Sequence, residues 1–88
     1  MDVESRRKRL VYRATHRGTK ESDVLVGGYF TTAAPALDPA RFDEAERLLD
    51  VSDADLMDWL MERKAAPAEW SGTLFDDLLA HARARRAV

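Results

Sequence analysis

The sequence predicts an all-α fold, a small single-domain bundle of about five short helices covering residues 1–88. Three observations predict it. Apolar residues recur three and four positions apart in successive segments, the spacing of a helix face. Helix-start signals of the Asp-Pro and Ser/Thr-x-x-acid kinds stand ahead of several of those segments. The one strand-like run, Val24-Leu25-Val26, has no second run to pair with, and an unpaired strand leaves its backbone groups unsatisfied.

The length of 88 residues fits one domain, and a chain this short must pack its core well because it buries a smaller share of its surface than a large one. Hydrophobic residues at 45% and charged residues at 34% suit a folded, soluble domain. The absence of cysteine excludes a disulfide framework and a thiolate metal site and is compatible with a reducing cytosol. No apolar run approaches the ~20 residues that cross a bilayer, so no direct membrane insertion is expected. The start Met1-Asp2-Val3-Glu4 does not read as a secretory signal, and the early acids leave no room for a transit peptide. A cytoplasmic bacterial protein is the expectation.

Residues 4–16 read as a basic helix. Leu10, Val11 and Ala14 form a narrow apolar stripe with Tyr12 beside it, and Arg6, Arg7, Lys8, Arg9 and Arg13 occupy the rest. Those cations have three readings: a solvated face, a docking surface, or a nucleic-acid contact. No aromatic or glycine-rich RNA-binding signature accompanies them, and a pI of about 5.6 is far below the basic footprint such binding requires. Gly18 can turn the chain after Arg17, because glycine alone reaches positive φ without steric cost.

Thr19 is the expected N-cap of a second helix over residues 19–33, with Glu21 and Asp23 in or near its first turn, where the helix dipole favours carboxylates. Leu25 aligns with Tyr29 and Val26 with Phe30, while Gly27 and Gly28 let another helix approach. Thr31 to Leu37 reads as a linker broken by Pro35. Asp38-Pro39 starts the third helix, with Phe42, Ala45, Leu48 and Leu49 inward and Asp43, Glu44, Glu46 and Arg47 outward.

Ser52-Asp53-Ala54-Asp55 fits a capping box for the fourth, whose apolar face is Leu56, Trp59, Leu60 and Met57, with Arg63 and Lys64 near its C-terminal end. Trp59 reads first as a core anchor. Ala65 to Gly72 is a loop from which Trp70 folds back onto the core. Thr73, with Asp76 three residues on, caps the last helix, which buries Leu74, Phe75, Leu78, Leu79 and Ala82. The terminal Arg83, Arg85 and Arg86 are expected to fray.

The formal net charge of −2 conceals an asymmetry. Residues 1–20 carry seven Lys/Arg against two acids, and residues 38–63 carry nine acids against three arginines. This points to oriented docking on a charged partner. Catalytic chemistry finds no foothold. His16 and His81 lack metal-ligand spacing, Ser22 has no nucleophile motif around it, and Gly27-Gly28 lacks the pattern of a dinucleotide or phosphate loop. The expectation is a protein that is not an enzyme.

The stretch that stands out is Arg17-Gly18-Thr19-Lys20-Glu21-Ser22-Asp23, which brings Arg17 and Glu21 close across the corner at Gly18. By residue chemistry alone this is either a corner salt bridge locking two helices or a rigid charged corner offered to a partner. It resembles the Arg-Gly-x-x-Glu-x-Asp signature of the SdhE-type FAD assembly factor family, at Arg17, Gly18, Glu21 and Asp23. A second segment, Asp55-Leu56-Met57-Asp58-Trp59-Leu60, is similar to the Asp-Leu-x-x-Trp-Leu found in that family, and the likeness spans nearly the whole chain. The chain departs from the pattern at Ser22, where many members carry an aliphatic residue, which puts the packing under the corner in question.

The resemblance implies an all-helical assembly factor that binds the flavoprotein subunit of succinate dehydrogenase and promotes covalent attachment of FAD. The resemblance extends this expectation to fumarate reductase or a related flavoprotein as a further client. It implies partner-binding roles for Arg17, Gly18, Glu21 and Asp23, with Arg9, Arg13 and His16 of the basic helix extending the interface. Arg17 and Glu21 would order the client's active-site region, Gly18 would permit close approach, and Asp23 would brace the corner. No tightly bound cofactor, no nucleic acid and a monomeric state are expected, the FAD being that of the client. The alternatives are an antitoxin-like binding module of a toxin–antitoxin pair, which relatives have been labelled as, and a small nucleic-acid binder using Arg6 to Arg9.

Overall fold

A basic helix lies against an acidic one at the centre of this protein. The computed structural model describes residues 2–86 and contains five α-helices: α1 (Val3–Thr15), α2 (Lys20–Ala33), α3 (Phe42–Asp50), α4 (Asp53–Leu60) and α5 (Leu74–Arg86). Three short 3-10 turns, Ala34–Ala36, Pro39–Arg41 and Ala68–Trp70, join them, and no strand occurs among the described residues. The bundle measures 37 × 27 × 22 Å.

Local signals start most of the helices. Asp2 accepts a hydrogen bond from the Ser5 N–H at the head of α1, Thr19 from the Ser22 N–H at α2, and Ser52 from the Asp55 N–H at α4. Asp38 does the same for Ala40, although the element it caps is the 3-10 turn Pro39–Arg41 that leads into α3. Helix α2 ends at Ala33, the end read for it, so Thr31–Ala33 of the expected linker are helical, and two 3-10 turns with Leu37–Asp38 between them form the connection to α3. Pro35 is tolerated because it sits inside the first turn of a 3-10 element, where no N–H is required of it.

Helices α1 and α2 form the most extensive pair. Their close crossing depends on Gly27. A Cβ built there would stand 2.8 Å from Thr15 Cγ2 and 3.2 Å from the Ala14 carbonyl, so only glycine fits without displacing α1. The core beneath this pair is assembled from every helix: Leu10 and Ala14, Val26 and Phe30, Phe42 and Leu48, Leu56 and Leu60, Leu74 and Leu78. Trp70 folds back onto it as expected, 6% exposed, with the Arg47 guanidinium over its ring at 5.5 Å. Trp59 is only partly buried and meets Phe75 edge-on.

The last helix is set by tertiary contacts. Glu44 of α3 accepts a hydrogen bond from the Leu74 N–H at 2.6 Å, placing a carboxylate at the positive end of α5. Thr73 accepts from the Phe75 N–H, and Asp76 reaches back to the Gly72 N–H and not to Thr73. Two of the three C-terminal arginines expected to fray are held by a carboxylate, Arg85 being the exception. Arg83 and Arg86 both bind Glu62, the one described non-glycine residue with positive φ (58°), which terminates α4 in a left-handed turn. These two guanidinium groups hold the Glu62 carboxyl down at about 2.

Candidate functional site

The corner predicted at Gly18 is present. Gly18 has φ +107°, a conformation that side chains other than hydrogen rarely adopt, and the space on its outer side is empty. The chain leaves α1 at His16, turns through Arg17 and Gly18, and enters α2 at Lys20 behind the Thr19 cap. Asp23, one turn into α2, accepts a hydrogen bond from the Arg17 backbone N–H at 2.6 Å and ties the two sides of the corner together.

The Arg17 side chain does not meet Glu21, so the corner salt bridge read from the sequence is not formed. It turns inward instead, with 8% of the side chain exposed. Its Nε donates to Asp53 Oδ1 at 2.9 Å, and its two terminal nitrogens donate to the carbonyls of Leu49 (2.7 Å) and Val51 (2.8 Å). Those carbonyls are at the C-terminal end of α3, where unpaired acceptors and the helix dipole favour a cation. A planar guanidinium suits the task because its donors fan out in one plane toward several acceptors. Arg17 thus stitches the α1–α2 corner to the α3–α4 junction.

Ser22 belongs to the same network. It is fully buried, and its hydroxyl donates a hydrogen bond to the Asp53 Oδ1 that Arg17 holds. The departure from an aliphatic residue is therefore matched by a buried acceptor. Nothing in the order of residues marks Asp53 as its partner, because the two are 31 positions apart.

Glu21 is not part of this network. It is exposed, has no ion-pair partner among the described residues, and with the exposed Lys20 lines a groove shared with Val24, Met57 and Arg85. Of the charged signature residues, it is the one whose carboxylate remains available to another molecule.

The neighbouring cations divide. Arg13 pairs with Asp50 of α3. Arg6 pairs with Asp43 and Glu46, each at 2.9 Å, and Arg7 donates to the carbonyls of Ala34 and Leu37 at 2.6 and 2.7 Å, both guanidiniums lying over the Phe42 ring. Lys8 and Arg9 remain exposed without such partners among the described residues. The charge asymmetry of the sequence is thus largely internal: basic α1 binds acidic α3. A continuous basic face for nucleic acid does not exist on α1. His16 is exposed, stacked on Tyr12 with ring centroids 4.0 Å apart, and its Nδ1 lies 2.8 Å from the Tyr12 carbonyl. Tyr12, His16 and Arg13 line a shallow cleft that reaches Arg17 and Asp53.

His81 has no role legible from its sequence neighbours. Its Nε2 is buried without a hydrogen-bond partner, the ring packs over Gly28, and Tyr29 meets it edge-on. Burial, and then Arg85, holds its pKa below the ordinary imidazole value. Among the described residues no group of three His, Asp or Glu side chains converges in a way that could hold a metal ion.

The family model described as "Flavinator of succinate dehydrogenase" matches residues 8–82 of this chain. The chain is 34% identical over 85 residues to the FAD assembly factor SdhE of Acetobacter pasteurianus, covering 97% of this chain and 78% of that one. It is 37% identical over 86 residues to the mitochondrial succinate dehydrogenase assembly factor 2 of Mycosarcoma maydis, and 32% identical over 83 residues to that of Cryptococcus neoformans. It covers 36% and 47% of the length of these two fungal proteins.

Proposed function

This chain belongs to the family of succinate dehydrogenase flavinators, and on that premise we propose that it binds the flavoprotein subunit of succinate dehydrogenase and promotes covalent attachment of FAD. The observation that carries the mechanism is the division of labour at the corner. Arg17, Ser22 and Asp53 lock it from inside, while Gly18 and Glu21 are offered outward. A rigid, glycine-faced corner lets a client backbone approach closely, and a fixed carboxylate gives that client one charge to order itself against.

The contribution is preorganisation. The protein supplies no reacting group, and holds the immature flavoprotein in the arrangement from which the bond to FAD forms. Arg17 serves as a positioning residue for Gly18 and Glu21. Asp23 braces the turn, and in this reading Arg9, Arg13 and His16 of α1 extend the interface. A monomeric cytoplasmic form, and fumarate reductase as a second client, extend the proposal on the strength of the family resemblance alone.

The test is covalent flavin fluorescence of the denatured flavoprotein subunit, in cells with and without this gene. Loss of the fluorescent band on deletion, restored by the wild-type gene and not by Glu21→Ala, is the expected result. Full covalent flavin in the deletion strain under several growth conditions would overturn the proposal.

A further inference from the structure

The surface beside the corner is not purely polar. Val24 is 40% exposed on the outer face of α2, and together with Leu25, Met57 and Met61 it lines a groove of about 450 Å³ between the first turn of α2 and the C-terminal ends of α4 and α5. Lys20 and Glu21 stand on one side, Arg85 and Arg86 on the other. Arg86 is engaged by Glu62 at 2.8 Å. Lys20 and Arg85 have no ion-pair partner among the described residues, so the groove presents two uncompensated cations against the single carboxylate of Glu21.

We propose that this groove receives an apolar segment flanked by carboxylates on the flavoprotein client, an inference that rests on the function proposed above. Thioether side chains adapt to irregular apolar shapes and recur on surfaces that accept other chains. The two free cations select acids on the flanks of that segment. The groove is continuous with the signature corner through Lys20 and Glu21, so one client surface can engage both. The chain's own exposed apolar groups match poorly. Tyr12 stands among Arg9, Arg13 and His16, and the acids flanking Val3 are already engaged, Asp2 by the Ser5 N–H and Glu4 by Arg7.

The experiment is titration calorimetry of the full-length protein against the purified, non-covalently loaded flavoprotein subunit, with Val24→Asp, Arg85→Glu and Glu21→Ala beside wild type. Melting curves report folding, and Arg85→Glu removes no ion pair described here, so it remains informative if Val24→Asp is destabilised. Val24→Asp and Arg85→Glu are each expected to weaken binding about tenfold, with the Arg85→Glu loss shrinking as salt screens the charge. Both variants binding like wild type while Glu21→Ala binds weakly would overturn the groove and leave the proposed function standing. No binding by wild type would overturn both. A wild-type dimer that these variants dissociate, with client affinity unchanged, would assign the groove to a second copy and overturn the inference.

Discussion

Replacing Arg17 by alanine separates the role of Arg17 from that of Glu21. The change removes one charge-assisted bond to Asp53 and two to the carbonyls that end α3. Hydrogen bonds to charged groups contribute about 1.5–3 kcal/mol each, which would total roughly 4.5–9 kcal/mol if every partner were left dry. That bound is too high, because the Asp53 side chain is 27% exposed and water can enter the space the guanidinium vacates. A loss of about 3 kcal/mol is the better figure, at the low end for stripping one partner from a buried ion pair.

For a domain of this size each kcal/mol moves the melting temperature by about 4–8 °C, so Arg17→Ala should melt some 12–24 °C below wild type. Glu21→Ala touches no described partner and should stay within about 0.5 kcal/mol of wild type. Arg17→Lys should fall between, since an ammonium cannot fan its donors to three separated acceptors. The assay is thermal and urea unfolding followed by circular dichroism. An Arg17→Ala protein melting within about 3 °C of wild type would refute the inward role argued for this side chain.

Gly18→Ala should cost roughly 1–3 kcal/mol in urea unfolding, from backbone strain at φ +107° and without a clash. Gly18→Arg therefore perturbs the fold as well as the docking face and needs Gly18→Ala as its control. Gly27→Ala should destabilise by about 1–3 kcal/mol because it pushes α1 and α2 apart. By contrast, Gly28→Ala meets only the His81 ring at 3.4 Å and gains helix propensity, so it should lie within about 1 kcal/mol of wild type in the same unfolding series.

Acid should weaken the fold in two windows. His81 has a folded pKa below its unfolded value near 6.5, so the unfolded state takes up the extra proton and stability falls as pH drops through that range. Glu62 has a folded pKa of about 2 against an unfolded 4.5, so its contribution is present above 4.5 and is lost between 4.5 and about 2. Melting temperatures from pH 8 to 3 should lose the first step in His81→Phe and the second in Glu62→Gln.

The order of residues determined what local chemistry can decide. The caps at Thr19 and Ser52 and the i, i+4 apolar faces place the helices, and Asp38-Pro39 starts the 3-10 turn that leads into α3, because each rests on hydrogen bonds or side-chain directions within a few residues. Gly18 was legible for the same reason: the turn it makes is a property of its own φ. The signature residues were also found in the sequence, as a local pattern.

What they do was not legible. Arg17 has acids at several separations in the chain, and only the packing of α3 and α4 against the corner selects Asp53, 36 positions away, over Glu21, four away. The same holds for Glu44 at the head of α5, for Glu62 beneath Arg83 and Arg86, and for the arginines of α1 closed onto α3. A charge in a sequence can meet many partners. Burial makes one meeting favourable by removing the water that competes with it, and burial is a property of the assembled bundle alone.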